Sequence, residues 1–158
     1  MRRTSKLIKR LERVLRSTVR FVVGLRKRDP VQEEMKRLHL LPAEQRIKFK
    51  LACLGHKITT GETPNYLQDL IIMECPSLRR LRSATDLPKM RVPVVKTTKE
   101  ERRFAFQVPK VFNGLPLHLR AETSTTRFKK NLKTWLFKES YGENRLESHP
   151  TDFLIYAP

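Results

Sequence analysis

The sequence predicts a mainly α fold: a small basic helical domain, with a short β-hairpin as a candidate element and a disordered C-terminal tail. Three observations carry this. Apolar side chains recur every three or four residues through several segments. Residues that cap or break helices fall at the ends of those segments. Alternation of the kind a strand needs is confined to residues 92–108.

Leu7, Leu11, Val14, Leu15, Val19 and Val22 form a helical stripe across residues 5–23, with Lys6, Lys9, Arg10, Arg13, Arg16 and Arg20 around it. Gly24 ends that helix. Asp29, Pro30 and Gln32 read as N-cap, first-turn proline and capping-box partner of a second helix reaching about His39. The cationic turn Arg26-Lys27-Arg28 is thereby held between two helices. Pro42 opens a third helix, whose Ile47, Leu51 and Leu54 share a face with Phe49 and Ala52 nearby, leaving Arg46, Lys48 and Lys50 solvated. Gly55 and Gly61 bracket a turn, after which Thr63 as cap and Pro64 launch a short helix through Leu67, Leu70 and Ile71.

Residues 74–98 change character. Pro76, Pro88 and Pro93 break helices while Arg79, Arg80, Arg82 and Lys89 add charge, so this stretch reads as a basic, proline-rich loop or linker. Val92, Val94 and Val95, paired with Phe104, Phe106 and Val108, make the candidate hairpin. Residues 99–141 hold an aromatic turn and an amphipathic helix: Phe128, Leu132, Trp135 and Leu136 share one face, and Arg127, Lys129, Lys130 and Lys133 fall largely on the others. Residues 142–158 lose periodicity and read as a tail, with Phe153, Leu154 and Ile155 placed to tuck back.

A chain of 158 residues suits one domain with a modest core. Lys and Arg number 34 against 16 Asp and Glu, a formal net charge of +18, and self-repulsion of that size calls for a polyanionic partner. Nucleic acid leads, with acidic proteins and anionic lipid as competitors. The charge is concentrated at one end, because Glu12 is the sole acid before Asp29. For that N-terminal helix a mitochondrial presequence, a membrane-surface helix and a simple packing helix compete with phosphate contact.

Two cysteines, Cys53 and Cys75, make no disulfide framework, and no secretory signal with a long apolar region is present. An intracellular setting, nuclear or cytoplasmic, follows. No run approaches the ~18–20 apolar residues of a membrane span.

Catalytic chemistry finds little to work with. Cys53 and His56 have a metal-like gap, but zinc needs about four ligands and no second pair is close in sequence. His39, His56, His118 and His149 show no nucleophile-and-base pattern. The pairs Glu33-Glu34 and Glu100-Glu101 point to different sides of a helix, so solvated charge accounts for them better than magnesium. With no glycine-rich phosphate loop either, neither a metal nor a cofactor is expected. Phe112, Trp135 and Tyr66 are candidate base-stacking groups if exposed, and core packing is the stronger expectation for each.

The order of residues between Arg102 and Lys138 is the most distinctive feature. It runs from an aromatic pair that includes Phe104, through Pro109 and the Phe112-Asn113-Gly114-Leu115-Pro116 turn, to Leu119-Arg120. It closes on Phe128-Lys129-Lys130, Leu132-Lys133-Thr134, Trp135 and Leu136-Phe137. This resembles the region that follows the reverse transcriptase in LINE-type non-LTR retrotransposon polyproteins. Residues 25–51, the Thr63-to-Ile71 segment, and the stretch from Leu81-Arg82-Ser83 to Val92-Pro93 extend the match, which covers most of residues 14–141. The family usually carries Trp where this chain has Leu40 and Phe112, and both changes keep an apolar residue.

The resemblance implies a region C-terminal to the palm, with residues 1–73 as a thumb-like or post-thumb segment, in a family whose intact member is an RNA-directed DNA polymerase. There it would help to hold template RNA and target DNA. The paired aspartates of the palm are absent from this chain, so polymerase activity is not implied, and the expectation is a stand-alone, non-enzymatic fragment of a transposable element. The expected function is largely sequence-independent RNA or DNA binding through Arg10, Arg13, Arg16, Arg20, Arg26, Lys27 and Arg28, assisted by Lys129, Lys130 and Lys133. Alternatives are a module that docks on a reverse-transcriptase catalytic domain or an acidic protein, and a transposon relic without function.

Overall fold

The computed structural model describes the backbone of residues 2–74 and 88–142, with side chains from Lys6 onward. The helices are α1 (Arg2–Val23), α2 (Gln32–Arg37), α3 (Ala43–Thr59), α4 (Asn65–Gln68), α5 (Phe104–Asn113), α6 (Leu117–Arg120) and α7 (Thr125–Tyr141), with a 3-10 turn at Glu100–Arg102. The fold is mainly α. Cys75, Pro76, Arg79, Arg80, Arg82, His149 and the 143–158 tail with Phe153, Leu154 and Ile155 lie outside the described residues.

At the centre is α3, packed on α5 and α7 and more lightly on α1. Its Ala52 and Cys53 join Met90, Val108, Phe112, Leu119, Phe128, Leu132 and Leu136 in one buried cluster. Segments 1–73 and 99–141 therefore share a core. A smaller cluster gathers Val19, Val31 and Met35, bordered by Leu15, Val23 and Tyr141, and holds the C-terminal half of α1 to α2 and the end of α7.

Small residues explain the depth of α3. Gly55 lies inside the helix and not at a turn, because a Cβ there would sit 3.1–3.3 Å from the Phe112 side chain. A side chain there would push Phe112 back by a few tenths of an ångström, so glycine suits the close approach of α5. The buried face of α3 is accordingly Ala52, Cys53, Gly55 and His56, while Ile47 is exposed and Leu51 half-buried. The expected Ile47, Leu51 and Leu54 face yields to the side where the backbones approach.

The candidate hairpin is not formed. Phe104, Val108 and Phe112 are spaced four residues apart and line up along α5, so the helical period overrides the alternation of Phe104, Phe106 and Val108. Pro109 lies inside this helix, buried. The extended pairing occurs instead between Met73 and Met90, where Glu74 N–H donates to Lys89 O at 2.8 Å and Arg91 N–H to Ile72 O at 2.8 Å. Met90 is fully buried, so the end of the expected linker is fixed to the core.

Asn113 completes that attachment. Its Oδ1 accepts from Met90 N–H at 3.1 Å and its Nδ2 donates to Met90 O at 2.7 Å, pairing both backbone groups of one residue. Leu115 is buried and Pro116 is the N-cap of α6. The Phe112-to-Pro116 turn is thus a packing device: one residue fills the core, one holds a strand-like segment and one starts a helix.

Several caps differ from expectation. Asp29 does not cap α2, whose N-cap is Val31; its carboxylate accepts from Arg26 N–H at 2.7 Å and closes the cationic turn. Pro42 and Pro64 stand at N-cap positions, one residue before their helices, and Thr63 caps nothing, its hydroxyl being buried without a partner. Gly24 ends α1 as expected, at φ +74°, with Leu25 N–H reaching back to Arg20 O at 2.9 Å. His39, at φ +49°, closes α2 the same way through Leu40 N–H to Met35 O at 2.9 Å.

Candidate nucleic-acid interface

Lys6, Lys9, Arg10, Arg13, Arg16 and Arg20 repeat at three- and four-residue steps on α1, which gathers them on one side over roughly 21 Å. The opposite constraint comes from Leu15, Val19 and Val23, which turn inward to α2 and α7. Burying that face aims the cations outward.

The cations are not equivalent. Arg16 donates through Nε to Glu12 Oε1 at 3.2 Å, and Arg20 is half-buried with its Nε enclosed and unpartnered. Lys6, Lys9, Arg10 and Arg13 are exposed and, among the described residues, make no ion pair within 4 Å. Arg26, Lys27 and Arg28 follow directly, all exposed in the turn that Asp29 closes. A preset turn presents three charges without first having to order itself.

Glu12, the lone acid of this end, serves the fold. Its Oε2 accepts from Ala43 N–H at 2.9 Å, satisfying a first-turn donor of α3 that Pro42 leaves uncapped. A carboxylate at a helix N-terminus also meets the positive end of the helix dipole. One side chain therefore ties α1 to the start of α3.

Lys129, Lys130 and Lys133 lie on the exposed outer face of α7, opposite buried Phe128, Leu132 and Leu136. Lys129 groups with cations of α3. It shares the surroundings of Cys53 with Lys50 and Lys57 of α3: burial pushes the Cys53 thiol up, and these three ammonium groups pull it partly back. Lys6 and Lys9 belong with the α1 group, and Lys50 and Lys57 with Lys129. Period alone could have placed the first two; the second two meet Lys129 through tertiary packing.

Of the candidate stacking groups, Phe112 is fully buried, Trp135 is half-buried against the core and Tyr66 is 67% exposed. Tyr66 alone of the three offers an open ring. Phe104 and Phe137 are partly buried against the same core, so the expected motif residues are mainly packing residues.

Cys53 and His56 are both spent on the interior. His56 donates from Nε2 to Glu122 O at 2.8 Å, the tautomer fixed by a carbonyl that only accepts, and its ring stacks on Phe128 at 4.1 Å. Its Nδ1 is enclosed without a partner. Glu100 is likewise committed, accepting from Lys96 and Thr97 N–H groups, which holds its carboxyl below the usual range. Among the described residues no three His, Cys, Asp or Glu side chains gather as a metal site, and no helix is long and apolar enough to cross a membrane.

No protein-family model, curated protein or solved structure matches the chain. The functional reading therefore rests on the residues themselves.

Proposed function

We propose that this chain is a non-catalytic, largely sequence-independent binder of RNA or DNA, which grips phosphates through the outer side of α1 and the turn after it. The observation that carries this is the set of exposed cations Lys6, Lys9, Arg10 and Arg13 on α1 and Arg26, Lys27 and Arg28 in the turn after it, which among the described residues make no ion pair, on a helix whose inner face is fixed to the core. Duplex DNA offers about one phosphate charge per ~1.7 Å of axis, so a ~21 Å stripe faces many phosphates at once. Lys129, Lys130 and Lys133 on the exposed face of α7 assist, with Lys50 and Lys57 sharing the surroundings of Cys53 with Lys129.

The reading is supported further by the motif order that resembles the region downstream of the palm in LINE-type reverse transcriptases, a region expected to hold template and target strands. On this reading the chain is a relative of that region.

The test is a variant carrying Lys9→Gln, Arg10→Gln, Arg13→Gln and Arg26→Gln. These side chains support no described contact in the fold, so stability should stay within about 0.5 kcal/mol. Affinity for RNA and DNA should fall together, and the log–log salt slope should shrink by about one unit per lost contact. Unchanged affinity would remove α1 from the interface.

A further inference from the structure

Beside its basic side, α1 carries an apolar face that the described residues leave open. Leu7, Leu11, Val14 and Phe21 are 57%, 55%, 64% and 89% exposed. With Thr18 they are spaced 4, 3, 4 and 3 residues apart, the spacing of a helix–helix seam. The inner residues Leu15 and Val19 belong to a different face, so core packing does not account for this one.

The seam also borders a concavity. Leu7 and Leu11 form one wall of a cleft of about 850 Å³ whose other walls are Ile47 and Leu51 of α3, Phe104 of α5 and Trp135 of α7. A flat surface cannot enter such a cleft, whereas the side chains of a helix lying along the trough can. Large exposed apolar faces of this kind mark association sites.

Charge narrows the occupant. By helical register Arg10 flanks the seam directly, with Lys6 and Arg13 beyond it. Lys110 and Arg102 add to the far rim, which also carries Glu44, and Lys48 there pairs with Glu139 at 3.8 Å. A second copy would set like charges against each other along both helices. We propose that the trough between α1 and the α3–α5–α7 surface receives an amphipathic α-helix of another protein, with apolar residues at heptad spacing and acidic residues flanking them. This contact uses the apolar side of α1 and shares Arg10 at its edge with the phosphate-gripping side, and it is argued from the open apolar seam and the cleft, so it does not rest on nucleic-acid binding.

The chain has one tryptophan, Trp135 in the cleft wall, so intrinsic fluorescence reads the site directly. The probe is a three-heptad peptide without Trp, carrying Leu or Ile at the seam positions and Glu beside them. It should shift Trp135 emission saturably, with a Kd in the micromolar range. Leu11→Ser with Val14→Ser should weaken binding at least tenfold while leaving the helical melt and the affinity for RNA in place.

Four results would overturn the proposal. These are no saturable shift, equal binding of a scrambled or Lys-flanked peptide, equal binding of phosphatidylserine vesicles, and a concentration-dependent shift of the protein alone that marks self-association. Unchanged RNA binding in the four-glutamine variant, by contrast, would overturn the phosphate-gripping reading and leave the peptide result on the parent chain untouched.

Discussion

Replacing Glu12 with alanine should cost far more than its place on a charged helix suggests. The carboxylate accepts from Ala43 N–H at 2.9 Å across 31 positions of sequence and from Arg16 at 3.2 Å, and its side chain is 21% exposed. A hydrogen bond to a charged group contributes roughly 1.5–3 kcal/mol when buried, and the Arg16 pair about 0.3–0.5 kcal/mol. Partial exposure trims the first figure, while the carboxylate's favourable position at the α3 N-terminus adds about 0.3–1 kcal/mol. Glu12→Ala should therefore lose about 2–3 kcal/mol, or about 5–10 °C in Tm for a chain of this size. Glu12→Gln keeps an acceptor and should lose about 1 kcal/mol. Urea denaturation followed by circular dichroism measures both. If Glu12→Ala stays within about 0.5 kcal/mol of the parent, the cross-helix cap does not hold α1 in place and the argument for a fixed basic face fails.

Asn113→Ala removes both bonds to the Met90 peptide and should cost about 2 kcal/mol, and hydrogen exchange at Arg91 and Glu74 should accelerate before that of α7. In a Cys75→Ser background, Cys53 should react with a thiol reagent at neutral pH far more slowly than a free thiol and recover full reactivity in denaturant, because burial raises its thiol and blocks access. Glu62 accepts from Thr125 Oγ1 at 2.6 Å, which lowers its carboxyl below the usual value of about 4.3. Its contribution to stability is thus present above that value and lost as pH falls through the lowered one. Thr125→Val should flatten the acid limb of the melting-temperature profile below about pH 4, and an unchanged limb would exclude that bond as its source.

The sequence made some helices legible and hid others for identifiable reasons. In α7 large apolar residues recur with a helical period, and Phe128, Leu132 and Leu136 are all buried as that pattern implies. In α5 three alternating residues imitate a strand, and only the continuation to Phe112 reveals the four-residue step. The packing face of α3 is written in Ala52, Gly55 and His56, residues that a hydrophobicity pattern undervalues. On α1 two adjacent apolar faces merge into one stripe when read by period, and tertiary contact alone separates buried Val19 from exposed Val14.

The candidate site divides in the same way. That the cations of α1 are concentrated and face one way follows from spacing alone. Which of them are free does not, because the Glu12–Arg16 pair could be anticipated locally but the Glu12–Ala43 bond and the enclosure of Arg20 depend on how α1 meets α3 and α2. Likewise Asp29 reads as a helix cap by sequence order, yet its carboxylate is drawn to the nearer backbone donor at Arg26 and fixes the cationic turn instead.

Fluorescence anisotropy of the purified chain with hairpin RNA, single-stranded DNA and duplex DNA, at about 50 and about 200 mM salt, tests the central claim most directly. Four or more phosphate contacts through α1 and its turn predict tight binding at the lower salt and a loss of about a hundredfold or more at the higher. No binding at the lower salt, or an affinity that salt leaves unchanged, would contradict it.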